Sequence, residues 1–130
     1  MRVLCIDGHD LDRKALGRML EGAGFTVDET REAKMGQTMI DTRDYDLVLM
    51  ELRLPDMDGM TALREIRAKG GAKGRIPVLV VTSETGSKIA EQFQAAGGDA
   101  VPNKPFKMEA LFEAISLTLA EANKERVVLL

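Results

Sequence analysis

Apolar residues in this chain gather in short unbroken runs, and between the runs they recur every three or four positions. The first run, Val3-Leu4-Cys5-Ile6, ends at Asp7-Gly8 and predicts a strand covered on both faces, as strands of a parallel sheet are. Leu11, Ala15, Leu16, Met19 and Leu20 follow at helical spacing, with Asp10 or Asp12 as the expected cap and Gly22 and Gly24 as the stop. Phe25 to Thr30 alternates weakly and predicts a second strand, and Ala33, Gly36, Met39 and Ile40 trace a helix to about Arg43. Leu47-Val48-Leu49-Met50 is a third strand closed by Glu51, followed by a loop rich in turn formers, Leu52-Arg53-Leu54-Pro55-Asp56-Met57-Asp58-Gly59. Thr61, Leu63, Ile66 and Arg67 predict a helix that dissolves at Gly70-Gly71. Pro77 then opens the strongest strand, Val78 to Val81, which ends at Thr82-Ser83. Ile89, Phe93 and Ala96 mark another helix stopped by Gly97-Gly98. Ala100-Val101 is a brief fifth strand, and Met108, Leu111, Phe112, Ile115 and Leu119 give an amphipathic last helix.

Strand and helix alternate five times with no linker between. This pattern predicts a doubly wound α/β fold: a five-stranded parallel sheet with helices on both faces and right-handed crossovers. With 130 residues, 45% of them hydrophobic, one domain is expected, over residues 1–122, and residues 123–130 read as a tail or the start of a linker. The formal charge of -3 argues against nucleic-acid binding by this domain alone. The one tyrosine, four phenylalanines and no tryptophan leave no stacking platform for bases. A single cysteine, Cys5, excludes an internal disulfide and reads as a buried, inert thiol. No apolar stretch approaches the roughly 18–20 residues of a membrane span, and the first strand meets Asp7 too early for a signal peptide, so a cytoplasmic protein without membrane contact is expected.

In a doubly wound sheet, ligands sit beyond the carboxyl ends of the strands. Those ends carry Asp7, Glu51, Thr82 and the segment Asn103-Lys104-Pro105. Two carboxylates, a hydroxyl and an ammonium suit a hard cation or a phosphoryl group, and equally a structural ion pair with Lys104 between Asp7 and Glu51. Spacing alone leaves both open.

These residues resemble the receiver domains of two-component response regulators, over essentially residues 2–120. Val3 to Asp7 followed by Arg13-Lys14-Ala15-Leu16 is similar to the family's opening strand and helix. Asp46 to Glu51 with Leu54-Pro55-Asp56-Met57-Asp58-Gly59 is similar to its phosphorylation segment. Pro77 to Ser83 and Asn103-Lys104-Pro105-Phe106 are similar to its later motifs. The resemblance implies a flavodoxin-like strand order 2-1-3-4-5. It also implies a phosphoacceptor aspartate at the position of Glu51, and Mg²⁺ held there by an acidic pair, with a carbonyl at the position of Arg53. Asp7 matches the first acidic residue, but Gly8 stands in place of the second and Glu51 replaces the acceptor. Thr82 and Lys104 match the switch hydroxyl and the phosphate-contacting lysine, while Val101 stands where a Tyr or Phe is usual.

A degenerate receiver is therefore expected, with Asp7, Gly8 and Glu51 as an altered acidic pocket and Asp7, Glu51 and the Arg53 carbonyl as vestigial metal groups. Mg²⁺ binding is expected to be weak or absent, and no other cofactor is implied. The expected function is non-enzymatic: a signalling module that binds protein through the face of the fourth repeat's helix, the fifth strand and the last helix. Glu51 either imitates the phosphorylated state or leaves a resting adaptor. A functional phosphoacceptor and the regulatory half of a DNA-binding regulator are the alternatives. A histidine kinase, a phosphotransfer protein or a second copy of the chain are the partners in view. His9, the only histidine, reads as a solvated loop residue without a partner, and Arg53 as pointing to solvent.

Overall fold

The computed structural model describes residues 1–82, 87–98 and 107–128. Its strands are β1 (Arg2–Ile6), β2 (Thr26–Thr30), β3 (Leu47–Glu51) and β4 (Val78–Val81). They lie side by side in the order β2-β1-β3-β4, and every pairing is parallel. The expected fifth strand at Ala100-Val101 lies outside the described residues. The helices are α1 (Asp10–Gly22), α2 (Ala33–Thr42), α3 (Gly59–Ala68), the single turn α4 (Gly71–Gly74), α5 (Ser87–Ala95) and α6 (Met108–Val128).

Because side chains alternate across a strand, each continuous apolar run feeds two cores at once. Leu4, Ile6, Val48, Met50, Val78 and Val80 point to one face and pack with Ala33 and Ile40 of α2, Leu63 and Ile66 of α3 and Phe93 of α5. Val3, Cys5, Leu47, Leu49 and Leu79 point to the other, against Leu16 and Leu20 of α1 and Leu111 and Ile115 of α6. Each buried Leu or Ile contributes about 1.5–3 kcal/mol relative to exposure. The doubly wound α/β arrangement read from the sequence is what these two layers form. Among the described residues, no helix is long and apolar enough to cross a membrane.

Three local expectations are corrected. Neither Asp10 nor Asp12 caps α1: His9 is the N-cap residue, and both aspartates sit in the first turn. There they favour the positive end of the helix dipole, and Asp10 is drawn to Arg13 instead, 2.9 Å away. The chain does not simply dissolve at Gly70-Gly71 but makes the turn α4, entered through positive φ at both glycines. Met108 is exposed, because the inward face of α6 runs through Leu111, Ile115 and Thr118.

The start of α2 is held from a distance. Its N-cap residue, Glu32, makes no side-chain cap, and the Asp56 carboxylate accepts the N–H groups of Ala33 and Lys34, each at 2.9 Å. Partial burial pushes the Asp56 carboxyl upward, but the backbone N–H groups of Lys34 and Ala33 outweigh it and hold the group below the ordinary carboxylate range. A depressed folded-state pKa gives stability that is present above the ordinary value and lost as pH falls through the folded one. Asp56→Ala is therefore expected to cost about 1 kcal/mol at neutral pH, with the gap from the parent closing as pH falls below the ordinary carboxylate value. Urea midpoints of both proteins at neutral and at acid pH check this, and an equal gap at both would refute it.

Candidate functional site

Register brings the strand ends level. Ile6 pairs with Met50, so Asp7 follows beside Glu51, and Glu51 pairs with Val81, just before Thr82. Asp7, Glu51 and Thr82 are all buried, with Asp7 only 1% exposed. The sequence reading placed these three together, and the fold does so. Lys104 and Val101 lie outside the described residues.

Asp7 is fixed on every side the backbone offers. Its N–H donates to the Thr30 carbonyl at 3.1 Å, and its carbonyl accepts Arg13 Nη1 at 2.8 Å. Its Oδ1 accepts the His9 N–H at 2.9 Å and lies 3.5 Å from His9 Nδ1. Arg13 was not singled out by the sequence beyond the family resemblance. It is buried despite its charge because Asp10 at 2.9 Å and Glu29 at 3.3 Å neutralise it. An Arg three residues into an amphipathic helix is an ordinary surface pattern, so only the fold shows it turned inward onto the end of β1.

His9 does not stand alone. Its side chain is 71% exposed, yet its ring faces the Asp7 carboxylate, which corrects the expectation of a loop residue without a partner. Asp7, His9 and Asp12 bring one ligand atom each within 4.8 Å of one another. The sequence signal was present as three metal-ligating side chains within six residues, but strand-to-helix geometry is needed to see that they converge.

Glu51 bends back on its own chain: Oε1 accepts the N–H of Leu52 at 3.1 Å. Beyond it the loop closes through a bridge between Arg53 and Asp58. The Arg53 side chain is exposed, as expected, and lies 3.6 Å from Asp58. Asp58 also caps α3 by accepting the Met60 N–H. Gly59 donates to the Leu52 carbonyl at 2.7 Å, which pulls the helix start against the end of β3. Gly8 sits under the other side of this loop, where a Cβ would lie 2.9 Å from Pro55 Cδ.

The carboxylates of Asp7 and Glu51 are hard oxygen donors of the kind Mg²⁺ takes. At Gly8, however, there is no side chain, and the space above its Cα is filled by the Pro55 ring. The donor set implied by the resemblance is incomplete on this chain. Cys5, just below, is buried, and burial, reinforced by the charges of Glu29 and Asp7, pushes its thiol up to about 12. It is inert as a nucleophile, as its apolar surroundings suggested.

The family model for the response regulator receiver domain matches residues 3–116. The cell cycle transcriptional regulator CtrA of Caulobacter vibrioides is 31% identical over 115 residues, 88% of this chain and 48% of its own length. The transcriptional regulatory protein PhoP of Escherichia coli is 30% identical over 109 residues, covering 84% of this chain and 48% of that protein. The chain thus spans about half the length of these curated relatives. Among solved structures, a CheY-like receiver domain protein from Methanospirillum hungatei superposes with a TM-score of 0.86 at 27% identity, covering 95% of this chain and 97% of the other. The receiver domain of the sensor histidine kinase PA1611 from Pseudomonas aeruginosa, which holds a magnesium ion in its active-site cleft, gives 0.82 at 26% identity, covering 92% and 97%.

Proposed function

The chain belongs to the response regulator receiver domain family, and on that premise we propose that it works as a phosphorylation-independent receiver: a non-catalytic signalling module read by a protein partner. The observation that carries the reading is Glu51, buried at the end of β3 with Oε1 turned back onto the Leu52 N–H. In the family an aspartate at this place attacks the phosphoryl donor. One more methylene displaces the attacking oxygen by about 1 Å, and a misplacement of that size costs on the order of a hundredfold in rate.

Gly8 supports the same reading from the other side of the pocket, since the acidic partner that helps hold the cation is missing there. A permanent carboxylate at position 51 supplies one negative charge where a phosphoryl group would bring about -1.5 to -2 and three acceptor oxygens. That makes Glu51 a partial and constant imitation of a signal that other receivers acquire and lose. Output is then carried by α5 and α6, the helices of the fourth and fifth repeats. The partner is a protein of a two-component pathway: a histidine kinase, a phosphotransfer protein or a regulator's output domain.

Incubating the chain with acetyl phosphate and Mg²⁺, followed by intact mass spectrometry, tests the reading. The expected spectrum contains the parent mass alone. A phosphoryl adduct that disappears in Glu51→Gln would overturn the proposal.

A further inference from the structure

We propose that Asp7, His9 and Asp12 form a binding site for a divalent transition cation of the Zn²⁺, Co²⁺ and Ni²⁺ class. The family's cation pocket draws on oxygen donors at the strand ends. This trio shares Asp7 with that pocket but takes its other two ligands, one of them an imidazole, from the turn into α1 and its first turn. Asp7 closes β1, His9 is the N-cap residue of α1, and Asp12 sits in its first turn. Their ligand atoms lie within 4.8 Å of one another. A tetrahedral ion with ligand bonds of about 2.0–2.2 Å wants its donors roughly 3.4 Å apart, so closure by ~1 Å completes the site. That movement falls to the exposed His9 and Asp12 side chains, while Asp7 is buried.

The donor chemistry selects the ion. Carboxylate and water suit Mg²⁺, whereas an imidazole among the ligands favours Zn²⁺, Ni²⁺ and Co²⁺. Position 8 offers no carboxylate and position 9 offers an imidazole, and both facts act in the same direction: the pocket is poor for a hard cation and better for a borderline one. Supporting contacts are in place as well. The His9 N–H holds Asp7 Oδ1 at 2.9 Å, and Arg13 anchors the Asp7 carbonyl at 2.8 Å. Such outer contacts orient a ligating carboxylate. The positive charge of Arg13 is compensated by Asp10 and Glu29 and does not repel an incoming cation unopposed. Three protein ligands leave a fourth position for water.

The inference does not rest on the phosphorylation-independent reading, and its test does not involve phosphoryl transfer. Tag-free chain is titrated with Co²⁺ and followed by visible absorption, then with Zn²⁺ by calorimetry. A one-to-one complex is expected. His9→Gln and Asp12→Asn, both at exposed positions, should each weaken it on the order of a hundredfold, at least the loss typical when an outer-shell partner is removed. Mg²⁺ at millimolar concentration should leave the titration unchanged. Equal binding by the parent and either variant, or displacement by millimolar Mg²⁺, would overturn the proposal.

Discussion

Introduced together, Gly8→Asp and Glu51→Asp are expected to give a chain that gains a phosphoryl group from acetyl phosphate in the presence of Mg²⁺, while the parent and each single variant gain none. The scaffold for the reaction is otherwise kept: Asp7 and Thr82 are buried at neighbouring strand ends, level with position 51. Glu51→Asp alone restores the reach of the nucleophile but leaves the acidic pair incomplete. Gly8→Asp alone completes the pair but leaves the carboxylate out of line. Groups that act as one reaction centre show effects far from additive. The structure adds a condition that the sequence does not reveal. A Cβ at position 8 would stand 2.9 Å from Pro55 Cδ and 3.3 Å from Cγ, so the proline ring must give way. Pro55 Cδ is bonded to the backbone nitrogen, and the next residue, Asp56, is tied to the start of α2, so the loop backbone must shift and the cost is expected to be about 1–3 kcal/mol, as usual for overpacking. Mass spectra of all four proteins, with thermal unfolding to show that each is folded, decide the matter. Labelling of the parent, or none in a folded double variant, would refute the expectation.

The second large effect is one of stability. Gly59→Ala should destabilise the chain by about 2 kcal/mol, whereas Gly22→Ala should stabilise it by roughly 0.5–1 kcal/mol. Both glycines are helical, and by helix propensity alone both replacements would help. The difference lies in what the new Cβ meets. At Gly22 there is nothing within 4 Å. At Gly59 the Cβ would come within 2.7 Å of the Glu51 carbonyl oxygen, 2.9 Å of the Leu52 carbonyl oxygen and 3.0 Å of the Leu52 Cα. All three are backbone atoms of the strand end that carries the site, and none can swing aside. Thermal midpoints should fall by on the order of 10 °C for Gly59→Ala and rise slightly for Gly22→Ala. A Gly59→Ala chain as stable as the parent would show that α3 does not abut β3 as described.

Much of this was legible in the sequence because burial on both faces leaves a plain mark. Val3 to Ile6, Leu47 to Met50 and Val78 to Val81 read as strands of a covered sheet, and once their ends were placed, the convergence of Asp7, Glu51 and Thr82 followed from topology. The features that escaped depend on contacts between distant segments or on the direction of one side chain. Asp56 reads as a turn residue, yet it caps a helix that begins 23 positions earlier. Asp10 and Asp12 read as caps by residue type, but the competing ion pair to Arg13 and the geometry of the turn gave that place to His9. Gly59 reads as a turn former, and its actual constraint, the backbone of Glu51 and Leu52 at the end of β3, has no local signature.

The sheet order has a consequence for how the chain is made. β1 pairs with both β2 and β3, and its second partner does not begin until Leu47. At about 5–20 residues per second, roughly 2–9 s pass between the emergence of the two. Throughout that interval Val3-Leu4-Cys5-Ile6 is an apolar strand with an open edge, the state in which nascent chains are captured by chaperones or pair wrongly. Pairings such as Val3 with Leu47 also close long loops before they repay the entropy, which slows folding relative to helical folds built on local contacts. The residue that ends this exposed strand is Asp7, so the pocket takes shape only when the segment through Glu51 has arrived to shelter it.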